Sequence, residues 1–214
     1  RGNTVLNTVH GLRGMVVAPH VLATQSGLAI LRAGGNAIEA AVATAASLAV
    51  LYPHMSGIGG DGFWLIAAPG ERVRAIDASG RAPADLHLGD PRLRGYPAIP
   101  VRGPMAANTV AGTLSGWQAA LAFSRRAWGG RLPLARLLED AIVYAEAGSP
   151  VTASQAASTG DKLAELRAQP GFAATYLAGD KVPEAGCLLR QPALAVTLRR
   201  LGDAGLEDFY RGEL

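Results

Sequence analysis

The hydrophobic pattern predicts a front half that mixes strands with helices. Residues 15–18 are apolar and include two β-branched valines, and a proline ends the stretch. This pattern predicts a short buried strand. A helix capped by Thr24 or Ser26 is expected to run through residues 27–33. It should end in a left-handed turn that begins at Gly34.

The next segments predict a buried helix and a hairpin. Residues 37–52 are apolar on nearly every side, which is typical of a helix buried on most of its surface. A glycine-rich loop follows at 54–62. Residues 63–68 indicate a buried strand and residues 72–77 alternate polar with apolar positions, so the two predict an antiparallel hairpin.

The back half of the chain is expected to be mainly helical. Residues 84–107 are rich in proline and lack a clear period, which indicates a loop. One helix should begin at Thr113 or Ser115, and three more are predicted over 134–147, 153–168 and 191–201. We therefore expect a mixed α/β fold in a single domain over 1–214, with strands and covering helices over about 14–83 and a mainly helical part over 113–214.

Composition narrows the classes of protein. Hydrophobic residues make up 49% and charged residues 17%, which argues for a globular core. The net charge of +3 comes without a run of Lys or Arg, so nucleic-acid binding is disfavoured. The apolar stretch 37–52 is shorter than the ~20 residues of a membrane span. Cys187 has no partner for a disulfide within the chain and is expected to be a small, partly buried apolar residue; this cysteine usage favours the cytoplasm.

The glycine-rich loop invites a phosphate-binding interpretation, which the flanking residues disfavour. No Lys-Ser/Thr follows the glycines, and the loop leads into a strand instead of a helix. We expect the glycines to allow close backbone contact. At least one of Gly59, Gly60 and Gly62 should have a positive φ or leave no room for a Cβ. Asp61 could bind loop amides or line a pocket, and the structural role is favoured.

The histidines predict neither a metal site nor an obvious catalytic base. His54 follows a helix-ending proline without a nearby nucleophile or carboxylate, which favours a structural histidine over a base. His10, His20 and His87 lack the spacing of metal ligands. The sequence therefore predicts no metal and no cofactor.

Several motifs together resemble the γ-glutamyltranspeptidase family. They occur in the family's order and cover most of the chain, which makes them more specific than any one glycine loop. They are residues 14–18 (GMVVA), 34–37 (GGNA), 53–60 (PHMSGIGG), 62–63 (GF), 81–83 (RAP), 110–113 (VAGT), 116–117 (GW), 132–134 (LPL) and 209–214 (FYRGEL).

The resemblance implies a fold and a mechanism. Members of the family are made as one precursor that cuts itself, and the new N-terminal threonine of the small subunit serves as nucleophile and, through its amine, as base. The implied fold is a four-layer αββα sandwich built from both subunits. On this basis the chain is the front part of a large subunit, has no catalytic residue of its own, and pairs with a small subunit, with a dimer of such heterodimers left open.

One departure from the family bears on the substrate. In the transpeptidases an arginine that holds the substrate's α-carboxylate stands two residues after Asp77, where this chain has Ser79. Arg81 lies two residues further on, and an extended segment would place both side chains on one face. A guanidinium suits a carboxylate because two parallel N–H donors match its two oxygens. Ser79 and Arg81 are thus the candidate substrate-binding residues, and a surface or intersubunit ion pair is the alternative for Arg81.

Three functions remain open from the sequence. The first is an amide hydrolase for a small carboxylate-bearing substrate, similar to oxamate, or for a bulkier acyl amide of the cephalosporin-acylase type. The second is γ-glutamyl hydrolysis or transfer on glutathione-like substrates. The third is a non-catalytic family member whose partner has lost its threonine. The first residue of the partner chain would separate the third from the other two.

Overall fold

The computed structural model describes residues 8–84, 89 and 95–214, in which helices flank two short hairpins. The helices are α1 (Val21–Arg32), α2 (Ala37–Leu51), α3 (Thr113–Trp128), α4 (Leu134–Ala147), α5 (Ala153–Leu166), α6 (Phe172–Tyr176), α7 (Pro192–Ala204) and α8 (Asp208–Arg211). The strands are β1 (Gly62–Ile66), β2 (Arg74–Ala78), β3 (Ser149–Pro150) and β4 (Leu188–Leu189). The predicted loop 84–107 is described only in part, and that part includes a 3-10 turn at Pro104–Ala106.

Helix α1 begins earlier than the sequence predicts. Its N-cap is His20, whose ring Nδ1 accepts the N–H of Leu22 at 3.2 Å. The hydroxyls of Thr24 and Ser26 instead donate to backbone carbonyls one turn earlier, at 3.4 and 3.1 Å. The predicted cap at Thr24 or Ser26 is therefore wrong, because a neutral imidazole supplies the acceptor that the first turn needs.

Helix α2 is fixed at its start by a buried carboxylate. Asn36 accepts the N–H groups of Ile38 and Glu39, and Glu39 accepts the N–H of Asn36 at 2.9 Å, which completes a capping box. Glu39 is only 2% exposed and also accepts the N–H groups of Arg131 and Leu132, both at 2.8 Å. One buried charge therefore joins the start of α2 to the segment that precedes α4.

The main core surrounds α2, as the all-round apolar pattern predicts. Helices α1 and α4 pack on α2, and α7 packs on α4. Most of the residues of α2 are buried, and Gly34, with a φ of 83°, forms the predicted left-handed turn between α1 and α2. Buried side chains of the other helices include Ile30, Leu114, Trp117, Leu137, Leu138, Leu198 and Leu201.

The predicted hairpin forms, but only one of its faces is buried. Strands β1 and β2 pair antiparallel with Trp64 opposite Ile76. Trp64 and Ile66 pack with residues of α3 in a second, smaller core. Phe63 and Leu65 on the opposite face are 70% and 82% exposed, so the prediction of a fully buried strand is wrong for this face.

The predicted strand at residues 15–18 lies in the structure as an unpaired extended segment. Val16 and Ala18 are half-buried, whereas Met15 and Val17 are exposed, which is the alternation of a strand on the surface of a core. Among the described residues, no strand pairs with it. A strand needs a neighbour for its backbone hydrogen bonds, and this part of the chain offers none.

The histidine cap of α1 predicts a pH-dependent stability. Burial lowers the pKa of His20, so the unfolded chain, with a pKa of about 6.5, binds the proton first as the pH falls. The contribution of the cap should therefore be complete above about pH 6.5 and be lost as the pH falls through the folded-state pKa. In a plot of melting temperature against pH, His20→Asn should reduce the fall below about pH 6.5, because asparagine caps a helix at any pH.

The control for this prediction is His10→Asn, which changes an exposed histidine far from any helix start. Burial also lowers the pKa of His54, so some pH dependence of the same sign should remain in both variants. A melting profile of His20→Asn that parallels the parent protein between pH 7 and pH 5 would contradict the role of the neutral ring.

Candidate substrate site

The segment that follows β2 is held by a side-chain hydrogen bond and a close backbone contact. The carboxylate of Asp77 accepts the N–H of Ser79 at 3.0 Å, immediately after the strand ends. Gly80 has a φ of 76°, a region that L side chains rarely adopt. A Cβ on Gly80 would lie 1.8 Å from the carbonyl oxygen of Val110. Gly80, between Ser79 and Arg81, therefore lies outside the β region of a regular strand, and the expectation that the two side chains share one face stays a prediction.

A second segment, at residues 110–113, is bonded to this turn and to the glycine-rich loop. The N–H of Val110 donates to the carbonyl of Arg81 at 2.9 Å. The N–H groups of Gly112 and Thr113 donate to the carbonyl of Gly60 at 2.8 and 2.9 Å. The Thr113 hydroxyl lies 2.9 Å from the carbonyl oxygens of both Gly60 and the following residue. Three segments distant in sequence are thus joined at one place.

The glycine-rich loop makes close contact at only one of the predicted positions. The Cα atoms of Gly59 and Gly60 have open space around them, and none of the three candidate glycines has a positive φ. At Gly62 a Cβ would lie 3.2 Å from the Cα of Thr113, closer than side chains usually approach a backbone atom. The close-approach prediction is therefore confirmed at Gly62, where β1 begins beside the start of α3.

An open pocket of about 300 Å³ lies beside this junction. Ser79 is half-buried and Arg81 is exposed, and neither is among the described residues that line the pocket. The carboxylate-bearing Asp61 does line it, which agrees with one of the two roles considered from the sequence. The described lining residues are Ala41, Ala45, Ser56, Gly57, Asp61, Gly62, Phe63, Trp64, Thr113 and Trp117.

His54 lies in the same loop but is enclosed. Both ring nitrogens are buried and have no hydrogen-bond partner among the described residues, and the ring centroid lies 4.2 Å from that of Tyr52. Burial lowers the pKa of His54, which favours the neutral ring at pH 7. A neutral imidazole packed on an aromatic ring fits the structural role that the sequence favours.

The described residues contain neither a cluster suited to a metal ion nor a helix suited to cross a membrane. Within residues 8–84, 89 and 95–214, no three His, Cys, Asp or Glu side chains form a cluster suited to a metal ion. His87 lies outside the described residues. Cys187 is half-buried with a free thiol. In the same part of the chain, no helix combines the length and the apolar character needed to cross a membrane.

Sequence reasoning did not find the residues that hold the junction together. Thr113 is predicted as a helix start and as part of the 110–113 motif, and neither prediction indicates that its hydroxyl and N–H hold the glycine-rich loop. Val110 was part of a motif with no assigned contact. Hydrophobic periodicity reports which side chains are buried, and it carries no signal for backbone bonds between distant loops.

A known family accounts for most of the chain. The family model described as gamma-glutamyltranspeptidase matches residues 23–214. The chain therefore belongs to the γ-glutamyltranspeptidase family.

Individual relatives include both amide hydrolases and glutathione hydrolases. The oxamate amidohydrolase proenzyme of Klebsiella pneumoniae is 60% identical over 201 residues, covering 94% of this chain and 38% of that protein. The glutathione hydrolase-like YwrD proenzyme of Bacillus subtilis is 40% identical over 208 residues, covering 97% of this chain and 38% of that protein. The chain thus spans about 38% of the length of these two relatives.

Solved structures agree with the fold. The γ-glutamyltranspeptidase of Helicobacter pylori superposes with a TM-score of 0.85 at 28% identity, over 97% of this chain and 59% of that chain. The cephalosporin acylase of Bacillus halodurans gives a TM-score of 0.79 at 36% identity, over 89% of this chain and 36% of that chain. The α/β class predicted from the sequence is therefore confirmed.

Proposed function

We propose that this chain is the front part of the large subunit of an autoprocessed amide hydrolase that acts on a small carboxylate-bearing amide similar to oxamate. The observation that carries this proposal is the 60% identity, over 94% of the chain, to a protein named oxamate amidohydrolase proenzyme. Residues 1–214 form a single domain in this proposal, and the nucleophile is the N-terminal threonine of a small subunit cut from the same precursor.

The proposed chemistry needs only the threonine and water. The threonine hydroxyl attacks the amide carbon while its own amine accepts the proton, and ammonia leaves as the C–N bond breaks. Water then hydrolyses the acyl ester and restores the threonine. The large-subunit chain contributes binding and orientation of the substrate, because none of its own residues is assigned a catalytic role.

Ser79 and Arg81 are the proposed substrate-binding residues, and their placement favours a small anion. In oxamate the carboxylate is bonded directly to the amide carbon, whereas in a γ-glutamyl amide three carbons separate the two groups. A site for the smaller molecule needs its cation at a different distance from the nucleophile. Ser79 leaves the usual arginine position small and neutral, and Arg81 places the cation two residues further along the chain.

Exposed apolar surface supports a second chain. The Phe63 and Leu65 face of the hairpin and the unpaired segment 15–18 both present strand surface without a neighbour among the described residues. Strands from the remainder of the precursor would pair with this segment and cover this face, which gives the four-layer αββα sandwich as part of the proposal.

Substrate preference of the processed full-length protein tests the proposal. Ammonia release from oxamate and nitroaniline release from a γ-glutamyl anilide should be measured on one preparation, with oxamate giving the higher kcat/KM. A variant with the small subunit's N-terminal threonine replaced by alanine is the control and should remain an uncut, inactive precursor.

The alternative of γ-glutamyl hydrolysis is favoured by the relative named as glutathione hydrolase-like at 40% identity. Preferred turnover of the γ-glutamyl anilide would establish this alternative and refute the oxamate-like substrate. A purified, cut protein with neither activity, or a partner chain that begins with a residue other than threonine, would favour the non-catalytic family member.

A further inference from the structure

The C-terminal helix α8 contacts the 110–113 segment through one phenol group. The Tyr210 hydroxyl donates to the carbonyl of Ala111 at 2.8 Å and accepts the N–H of Ser115 at 2.9 Å. The Tyr210 ring is half-buried against the main core and packs edge-on against Phe209. The ring is thus held by packing while its polar end bonds the backbone on both sides of the start of α3.

The bond from the N–H of Ser115 to Tyr210 replaces a missing helix cap. The N-cap of α3 is Gly112, which has no side chain to accept the free N–H groups of the first turn. Ser115 is the third residue of this helix, and its N–H is the group that an N-cap side chain normally accepts. The Tyr210 hydroxyl accepts this N–H in place of an N-cap side chain, although Tyr210 lies 95 residues after Ser115 in the sequence.

Helix α8 is itself anchored. Two N–H groups of Arg200 on α7 donate to the carboxylate of Asp208 at 2.9 and 2.8 Å, and a third contacts Glu213 at 2.8 Å. Paired parallel bonds of this kind fix orientation as well as distance. The four-residue helix α8 therefore has a fixed place on α7, from which Tyr210 reaches the start of α3.

The contacts of Tyr210 are connected to Arg81, a proposed substrate-binding residue, through backbone hydrogen bonds. Tyr210 fixes the residues at 111 and 115, and between them the N–H groups of Gly112 and Thr113 hold the glycine-rich loop. The adjacent Val110 holds the carbonyl of Arg81. Loss of the phenol contacts would loosen both connections at once.

We propose that Tyr210 is a positioning residue that holds Arg81 and the glycine-rich loop in place through the 110–113 segment. The inference rests on the proposed function for the role of Arg81, whereas its structural part stands on the hydrogen bonds alone. Tyr210 touches neither the pocket nor Arg81, so its effect on a substrate is indirect.

Tyr210→Phe in the processed full-length protein tests this inference, because it removes both bonds and keeps the ring. Amide hydrogen exchange in residues 108–115 should become about tenfold faster. The KM of the preferred carboxylate-bearing substrate should rise roughly three- to tenfold, with kcat within about twofold, since loss of a hydrogen bond weakens positioning without removing the binding group.

The matched control is Tyr144→Phe, which removes the hydroxyl of another half-buried tyrosine that has no side-chain hydrogen bond to a described residue. It should change neither exchange in 108–115 nor KM. Arg200→Gln provides a second variant that loosens α8 without altering Tyr210, and it should shift both readouts in the same direction.

The two readouts separate the possible failures. A lower melting temperature with unchanged exchange in 108–115, or faster exchange with an unchanged KM, would overturn the positioning role. If the parent protein prefers a γ-glutamyl amide, the oxamate-like substrate is refuted, and KM is then measured with the γ-glutamyl amide. The exchange result decides the structural part of the inference in either case.

Discussion

Arg81→Ala is expected to lower kcat/KM for the carboxylate-bearing amide by about 30- to 800-fold, or about 2–4 kcal/mol, mainly through a higher KM. The physical reason lies in the proposed site, where Arg81 makes a charged contact that is partly desolvated when the substrate binds beside the proposed threonine of the small subunit. The exposed side chain makes folding largely independent of the substitution. Steady-state kinetics and a melting curve on one preparation measure both effects.

Two further variants define the role of the guanidinium. Arg81→Lys should recover only part of the loss, because an ammonium cannot offer two parallel N–H donors to a carboxylate. Arg125→Ala removes an exposed arginine near the end of α3 and should leave the kinetics unchanged. Kinetics of Arg81→Ala equal to those of Arg125→Ala would refute the substrate contact and leave Arg81 as a surface residue.

The helices and the hairpin could be predicted because their signals are local. The continuous apolar stretch located α2, and the alternation at residues 72–77 located β2 to within two residues at its start. The strand predicted at 15–18 failed for a different reason. Its alternation is present, but its hydrogen-bonding partner is not among the described residues, and periodicity cannot report whether a neighbour exists.

The candidate site was less accessible to sequence reasoning. The pairing of Ser79 with Arg81 assumed extended backbone, and the intervening Gly80 adopts a left-handed φ that the sequence permits without requiring. The cap of α1 was assigned to hydroxyls because they are the common acceptors, although His20 lay next to the helix start. The backbone angle of Gly80 and the side-chain acceptor of His20 are both features that apolar periodicity does not report.

The close backbone approach at Gly80 is therefore the feature on which the candidate site depends most directly. Gly80 precedes Arg81 and lies against the carbonyl of Val110, which also belongs to the segment held by Tyr210. A second close contact joins the same two segments, because a Cβ on Gly112 would lie 1.9 Å from the carbonyl oxygen of Ala78. The two segments fit only because both positions lack a side chain.

Gly80→Ala should consequently be among the most damaging single-methyl additions in this part of the chain. Alanine at a φ of 76° costs on the order of 1 kcal/mol, and a Cβ placed 1.8 Å from a backbone oxygen must also displace the Arg81–Val110 hydrogen bond. We expect the free energy of unfolding of the processed protein to fall by about 3 kcal/mol or more. Urea denaturation measures this loss. KM should also rise, because Arg81 is displaced together with the backbone of Gly80.

Gly70→Ala is a closely matched control because it lies in the same hairpin with nearly the same backbone angle. Its φ is 77°, yet no atom lies within 4 Å of the position that a Cβ would take. The cost should therefore be about 1 kcal/mol, from the backbone conformation alone. The difference between the two variants isolates the contact with Val110. If Gly80→Ala were no more destabilising than Gly70→Ala, the backbone at Gly80 would be able to adjust to a Cβ. That result would refute a rigid connection from Val110 to Arg81.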